Sequence, residues 1–165
     1  LTGRRGEALE EYKKVILALN NKVVEEAPAD LTINTHVCRG NYHSTFFSSG
    51  AYDGVADLLF GEENVNAYYL EYDDERSGGF APLAKITGNK KVVLGLVTTK
   101  TPKLEDKQSV IARIKEASKY VPLENFYLSP QCGFASCEIG NKLTEEEQWA
   151  KLKLVKEIAE EVWGA

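Results

Sequence analysis

Residues 91–99 read KVVLGLVTT, and from Val92 to Val97 this run has no polar residue. A strand with one wet face alternates polar and apolar positions. A run that is apolar at successive positions is covered on both faces, as in a parallel sheet packed between helices. Beyond it a helical pattern extends from Lys107 to Tyr120 and is stopped by Pro122, and NFYLSP (125–130) reads as the next strand. The last helix opens at Thr144, with Glu147 three residues on as a capping box, and runs to Trp163 with Gly164 behind it. In the other direction, VNAYYLEY (65–72) is a strand joined to KVVLGLVTT through Gly78-Gly79 and a short helix from Pro82 to Lys85. Before it come the strand LTINTHV (31–37), the loop RGNYHSTFFSSG (39–50) and a helix from Ala51 to Phe60 closed by Gly61. A first helix, Glu7 to Glu26, carries Leu9, Tyr12, Val15, Ile16, Leu19 and Val23 at helical spacing and is broken by Pro28 and Asp30.

Strands alternating with amphipathic helices give an α/β class built of four parallel β/α units. Four units are half of a (β/α)8 TIM barrel. The 165 residues, 43% hydrophobic and 27% charged, suit one globular domain with its own core. A formal charge of -5 without a Lys/Arg cluster excludes a nucleic-acid surface. No apolar run approaches a membrane span, and no signal-peptide pattern opens the chain. Three scattered cysteines are no disulfide framework and point to a reducing, cytoplasmic setting. The absence of Met, and a start at Leu1-Thr2-Gly3 in the approach to a helix, suggest a piece of a longer polypeptide.

In parallel α/β sheets chemistry collects at the carboxyl ends of the strands. His36 and Cys38 in INTHVCRGN, Glu71 in AYYLEYDDERSG and Cys132 in LSPQCGF all fall there. Imidazole, two thiolates and a carboxylate form a donor set that zinc accepts in a tetrahedral shell. Two thiolates and a carboxylate also make the site net negative, which suits activation of an incoming thiol better than generation of hydroxide. Glu75 rivals Glu71 as the carboxylate ligand, and Cys137 rivals Cys132 as a thiol. His43 reads as a loop histidine. Asp73, Asp74 and Glu75 either bind a substrate amine or cation or face solvent. Glu145, Glu146 and Glu147 read as a favourable first helical turn.

The segments THVCRGN, LEYDDERSG, VVLGLVTTKTP, ASKYVPLENFYLSPQCGFAS and LTEEEQWAKL resemble the C-terminal half of the catalytic barrel of cobalamin-independent methionine synthase. They are most similar to its short single-barrel relatives. The resemblance spans essentially the whole chain, and the paired signatures HxC and PxCG make it specific. It implies that residues 1–165 form a single partial domain, the C-terminal half-barrel. It implies zinc held by His36, Cys38, Glu71 and Cys132. The implied enzyme is a 5-methyltetrahydropteroyltriglutamate–homocysteine methyltransferase of methionine biosynthesis. Its methyl group would pass from 5-methyltetrahydropteroyltri-L-glutamate, a methyltetrahydrofolate polyglutamate, to homocysteine. No residue is assigned as catalytic or substrate-binding.

The chain departs from the family in three places. Lys100 stands where the synthases have a His thought to assist proton transfer, Thr98 replaces an acidic residue, and Gln131 replaces the Asp before the last ligand Cys. These departures leave two other readings open: a zinc-dependent thiol alkyltransferase with a different donor or thiol, and a noncatalytic zinc-bound fragment. The strands LTINTHV and NFYLSP would each have an unpaired edge. A missing N-terminal half-barrel or a second copy is expected to cover them, and the isolated chain is expected to be inactive.

Overall fold

The computed structural model describes residues 3–164, so Leu1 and Thr2 of the run-in to the first helix lie outside the described residues. Helix α1 (Glu7–Glu25) leads into strand β1 (Asn34–Val37), helix α2 (Ala56–Glu62) and strand β2 (Ala67–Glu71). Strand β3 (Lys91–Val97), helix α3 (Lys107–Ala117), strand β4 (Phe126–Pro130) and helix α4 (Glu145–Trp163) follow. The strands form one parallel sheet in the order β1-β2-β3-β4. Four parallel strands alternating with helices, in sequential order, are the arrangement of the C-terminal half of a (β/α)8 barrel.

The β3 run is buried from Val92 to Val97, as its unbroken apolar sequence requires. On the helix side of the sheet Leu70, Val92, Leu94, Leu96 and Phe126 meet Val110, Ile111 and Ile114 of α3 and Leu154 and Ile158 of α4. Each fully buried apolar side chain of this kind contributes about 1.5–3 kcal/mol. A file of aromatic rings continues the core toward the site. Tyr52 lies 5.1 Å from Tyr72, and Tyr72 lies 4.7 Å from Phe80.

Two close approaches set the upper edge of the sheet. A Cβ on Gly95 would stand 2.9 Å from both Gln131 Cα and the Leu70 carbonyl oxygen, so only glycine lets the neighbouring chains come so near. The register between β3 and β4 shifts at this point, between Gly95 and Val97. Lys151 of α4 is fully buried, and its Nζ donates to Lys103 O at 2.7 Å and to both Glu105 oxygens at 3.1–3.2 Å. Glu105 in turn accepts from Thr98 N at 2.9 Å. This pair, buried at Lys151 and partly exposed at Glu105, fastens the β3–α3 loop to α4.

Several elements differ from their expected form. Strand β1 is shorter than LTINTHV and alternates between exposed and half-exposed positions, because an edge strand has one neighbour and Asn66 takes both backbone groups of Ile33. The expected helix over 51–60 is a 3₁₀ turn (Tyr52–Gly54) followed by α2. Gly61 lies inside α2 and does not close it. The stop comes from Asn21 of α1, which donates to Glu62 O at 2.9 Å and accepts from Asn64 N at 2.8 Å. Helix α3 ends at Ala117 and tightens through Ser118–Tyr120, before Pro122 is reached. The face of α1 that carries Val15, Leu19 and Val23 is exposed.

Candidate metal centre

His36 is the third residue of β1 and Cys38 follows the strand by one, so both rise at its carboxyl end. Glu71 is the last residue of β2, and Cys132 lies two residues past β4. Parallel pairing puts these ends on one rim. Cys38 Sγ is 3.4 Å from Cys132 Sγ, Cys132 Sγ is 3.4 Å from His36 Nε2, and His36 Nε2 is 3.6 Å from Glu71 Oε1. All four ligand atoms lie within 4.8 Å of one another. A tetrahedral zinc with bonds of about 2.0–2.3 Å separates its ligand atoms by about 3.3–3.8 Å, so these three spacings match edges of such a shell. The side chains can therefore coordinate a metal ion, and the donor set is consistent with zinc.

The surroundings orient each donor. His36 Nδ1 donates to Tyr69 O at 3.2 Å, which leaves Nε2 facing the cluster. Glu71 is fully buried. Its Oε1 accepts from Arg39 N at 2.9 Å, and its Oε2 accepts from Gln131 Nε2 at 2.7 Å. The Glu71 backbone is pinned by Tyr52, whose hydroxyl accepts from Glu71 N at 3.0 Å and donates to Glu71 O at 3.3 Å. Cys38 Sγ accepts from Gly40 N at 3.3 Å.

The electrostatics follow from this packing. Hydrogen bonding to Cys132, and then to Glu71, pushes the His36 pKa up to about 11. Burial works against ionised Glu71, but its bonds with His36, Gln131 and Arg39 N outweigh that and hold the carboxyl at about 2. Burial likewise opposes the Cys132 thiolate, and the bonds to His36 and Cys38 overcome it, so its pKa falls. Cys38 moves the other way, raised first by burial. Without a metal the cluster is an imidazolium beside a carboxylate, with a Cys132 thiol that ionises more readily than an ordinary one.

Loops following β1, β3 and β4 are laced together over the rim. Asn41 Nδ2 donates to Gly133 O at 3.0 Å and Ser136 Oγ at 2.7 Å. Lys142 N donates to Ser44 Oγ at 2.8 Å, and Asn141 Nδ2 donates to Thr99 O at 2.6 Å. His43 and Ser44 both adopt positive φ, 44° and 66°, in the turn closed by Tyr42 and Thr45. That conformation is uncommon for residues with a Cβ, and His43 Nδ1 bonds Gly140 O at 3.3 Å from it.

Of the alternatives read from sequence, Glu75 opens a 3₁₀ turn (Glu75–Ser77), and neither it nor Cys137 belongs to the four-residue cluster. Of Asp73, Asp74 and Glu75, only Asp73 is withdrawn from solvent, and Asp74 and Glu75 are exposed as a solvated loop would have them. Asp73 accepts from Arg76 Nη2 at 2.8 Å in a buried contact, and Asp74 pairs with Arg76 Nη1 while capping that turn. Glu145–Glu147 do form the first turn of α4, behind a complete Thr144/Glu147 capping box. Sequence reading missed Arg39, Asn41 and Tyr52. Arg39 acts through its backbone N–H, and Tyr52 reaches Glu71 across a tertiary contact, so neither leaves a local signal.

Residues 11–161 match the family of cobalamin-independent synthase catalytic domains. The chain belongs to this family. Within it, the chain is 49% identical to the uncharacterized protein YxjG of Bacillus subtilis over 159 residues, which are 96% of this chain and 42% of YxjG. It is 51% identical to YxjH of the same organism over 87% of this chain and 38% of YxjH. The chain thus spans less than half the length of these relatives. A methionine synthase of Pyrococcus horikoshii is 28% identical over 62% of the chain and 27% of its own length. Among solved structures, a Listeria monocytogenes protein assigned as a vitamin-B12 independent methionine synthase superposes with a TM-score of 0.71 at 42% identity. That match covers all of this chain and 44% of the Listeria chain. A B12-independent methionine synthase from Shewanella sp. W3-18-1, in complex with selenomethionine, shares the fold with a TM-score of 0.73 at 22% identity, over 93% of this chain and 44% of that one. Among the described residues no helix is long and apolar enough to cross a membrane.

Proposed function

We propose that this chain carries the zinc centre of a methyltransferase that moves the methyl group of 5-methyltetrahydropteroyltri-L-glutamate to homocysteine, forming methionine. The observation that carries the reading is the cluster of His36, Cys38, Glu71 and Cys132, four donors of zinc-binding type within 4.8 Å on the rim of a domain of this family. Bound zinc supplies a Lewis acid that keeps an incoming thiol ionised near neutral pH, where a free thiol of pKa near 8.5 is mostly protonated. His36 and Glu71, held by Tyr69 O, Arg39 N and Gln131, would keep their donor atoms facing the cysteine sulfurs as the metal is loaded. In the transfer a sulfur–methyl bond forms, the bond from methyl to nitrogen 5 of the pterin breaks, and that nitrogen takes up a proton. Residues 1–165 act in this reading as a single partial domain, the C-terminal half of the barrel, with pterin and amino-acid contacts supplied from the other half.

One observation favours a second reading, a zinc-dependent thiol alkyltransferase with another methyl donor. Lys100 spends its ammonium protons on Gly40 O, Asn41 Oδ1 and Gln131 Oε1, and so has none to offer a leaving nitrogen. A donor whose leaving group needs no proton suits that environment better. Methionine production by the full-length polypeptide, given homocysteine and either the folate donor or a methylated corrinoid, decides between them. Turnover with the folate supports the first reading, turnover with the corrinoid alone supports the second, and no methyl transfer to homocysteine from either donor contradicts the first.

A further inference from the structure

Lys100 extends from the loop after β3 into the gap between the two loops that carry the cysteines of the cluster. Its Nζ lies 3.1 Å from Gly40 O, 3.3 Å from Asn41 Oδ1 and 3.1 Å from Gln131 Oε1. An ammonium has three protons, and each has an acceptor. Asn41 cannot turn its oxygen away, because its Nδ2 is committed to Gly133 O and Ser136 Oγ. Gln131 is 3% exposed, and its Oε1 also receives the Thr99 hydroxyl at 3.3 Å. Two donors on Oε1 leave the amide one orientation, with Nε2 aimed at Glu71 Oε2 at 2.7 Å.

The two oxygens of Glu71 therefore do different work. Oε2 accepts from Gln131 Nε2 and lies 3.8 Å from Arg76 Nη2, while Oε1 accepts from Arg39 N and is the oxygen 3.6 Å from His36 Nε2. We infer that Lys100 is a positioning residue that acts through the Gln131 amide to hold Glu71 as a one-oxygen ligand facing the metal. The inference rests on the zinc reading of the cluster. It gives Lys100 a task other than proton delivery: with its ammonium removed, Gln131 Oε1 keeps only the Thr99 hydroxyl as donor, the amide is held less firmly, and its bond to Glu71 Oε2 loosens. Partners of this outer kind typically change metal affinity by about 10–100-fold.

The test measures zinc affinity by chelator competition, with cobalt(II) absorption as a probe of the ligand shell, in the full-length protein and four variants. Lys100→Met and Gln131→Leu should each weaken zinc about 10–100-fold, and the double variant should be no weaker than Gln131→Leu. Gln131→Glu keeps the partner of Lys100 but sets a second carboxyl against Glu71 in place of the amide N–H, so with folding checked by circular dichroism it should still lose affinity. The cobalt forms of Lys100→Met and Gln131→Glu should absorb more weakly in the visible as Glu71 takes up a second contact and the tetrahedral shell is lost. A structural role alone would leave that spectrum unmoved. Wild-type affinity and spectrum in both Lys100→Met and Gln131→Glu overturn the inference, as does a Lys100→Met loss that repeats in full on the Gln131→Leu background. A wild-type protein that retains no zinc overturns the metal reading itself, which is a different result from zinc bound equally by every variant.

Discussion

Without a metal, His36 sits between Cys132 and Glu71 and holds its proton up to about pH 11. The pKa is raised above the usual 6.5, so the pairing stabilises the metal-free fold fully below that pH and is lost as pH climbs through about 11. Glu71 behaves oppositely. Its pKa, lowered from 4.5 to about 2, gives stability that is present above 4.5 and lost as pH falls toward 2. Zinc needs the neutral imidazole nitrogen, so metal binding at pH 7 must expel at least the His36 proton. Calorimetry in buffers of different ionisation enthalpy should show that release, and apparent affinity should rise from pH 6 to pH 8. Binding with no buffer dependence would show that the cluster is not protonated as described. The four donors themselves were legible as strand-end residues of ligand type. The outer partners were not, because Tyr52, Arg39 and Asn41 reach the site by backbone contacts or across long sequence separations that leave no pattern nearby.

Among the elements, β3 was the most legible and β1 the least. The run from Val92 to Val97 is apolar at every position because it is covered on both faces. The exposure of β1 depends on what lies beside it, which its own residues do not encode. The end of α2 was misread for a similar reason, since Asn21 of α1 stops it from across the helix pair. Gly95 links strand packing to the site. Gly95→Ala forces a Cβ to 2.9 Å from Gln131 Cα and Leu70 O, both backbone atoms with no flexible side chain to give way. We expect a loss of about 1–3 kcal/mol, a melting temperature lower by about 2–4 °C per kcal/mol, and weaker zinc retention, because Gln131 and Cys132 shift together. Thermal unfolding followed by circular dichroism checks this, and an unchanged midpoint would mean that the chains beside Gly95 yield freely.

At the scale of the whole molecule, β1 and β4 each pair on one side only, and α1 exposes Val15, Leu19 and Val23. Open parallel edges and an apolar helix face invite association. Light scattering of the 165-residue polypeptide should therefore report a dimer or larger species, and a well-folded monomer that turns over substrate would contradict that expectation. The half-barrel order was legible because apolar strand runs recur in series between amphipathic helical stretches, even where the stop signals were misplaced. The closeness of the rim was legible only as an expectation, since the 3.4–3.6 Å spacings arise from strand register and from the bulge beside Gly95. Zinc content per chain, measured on the wild type, Cys132→Ser and Cys137→Ser after dialysis against a weak chelator, tests the metal centre most directly. The wild type and Cys137→Ser should each retain one zinc, and Cys132→Ser should lose most of it, since an alcohol is a poor replacement for thiolate. Unchanged zinc in Cys132→Ser, or zinc lost with Cys137, would contradict a centre built from His36, Cys38, Glu71 and Cys132.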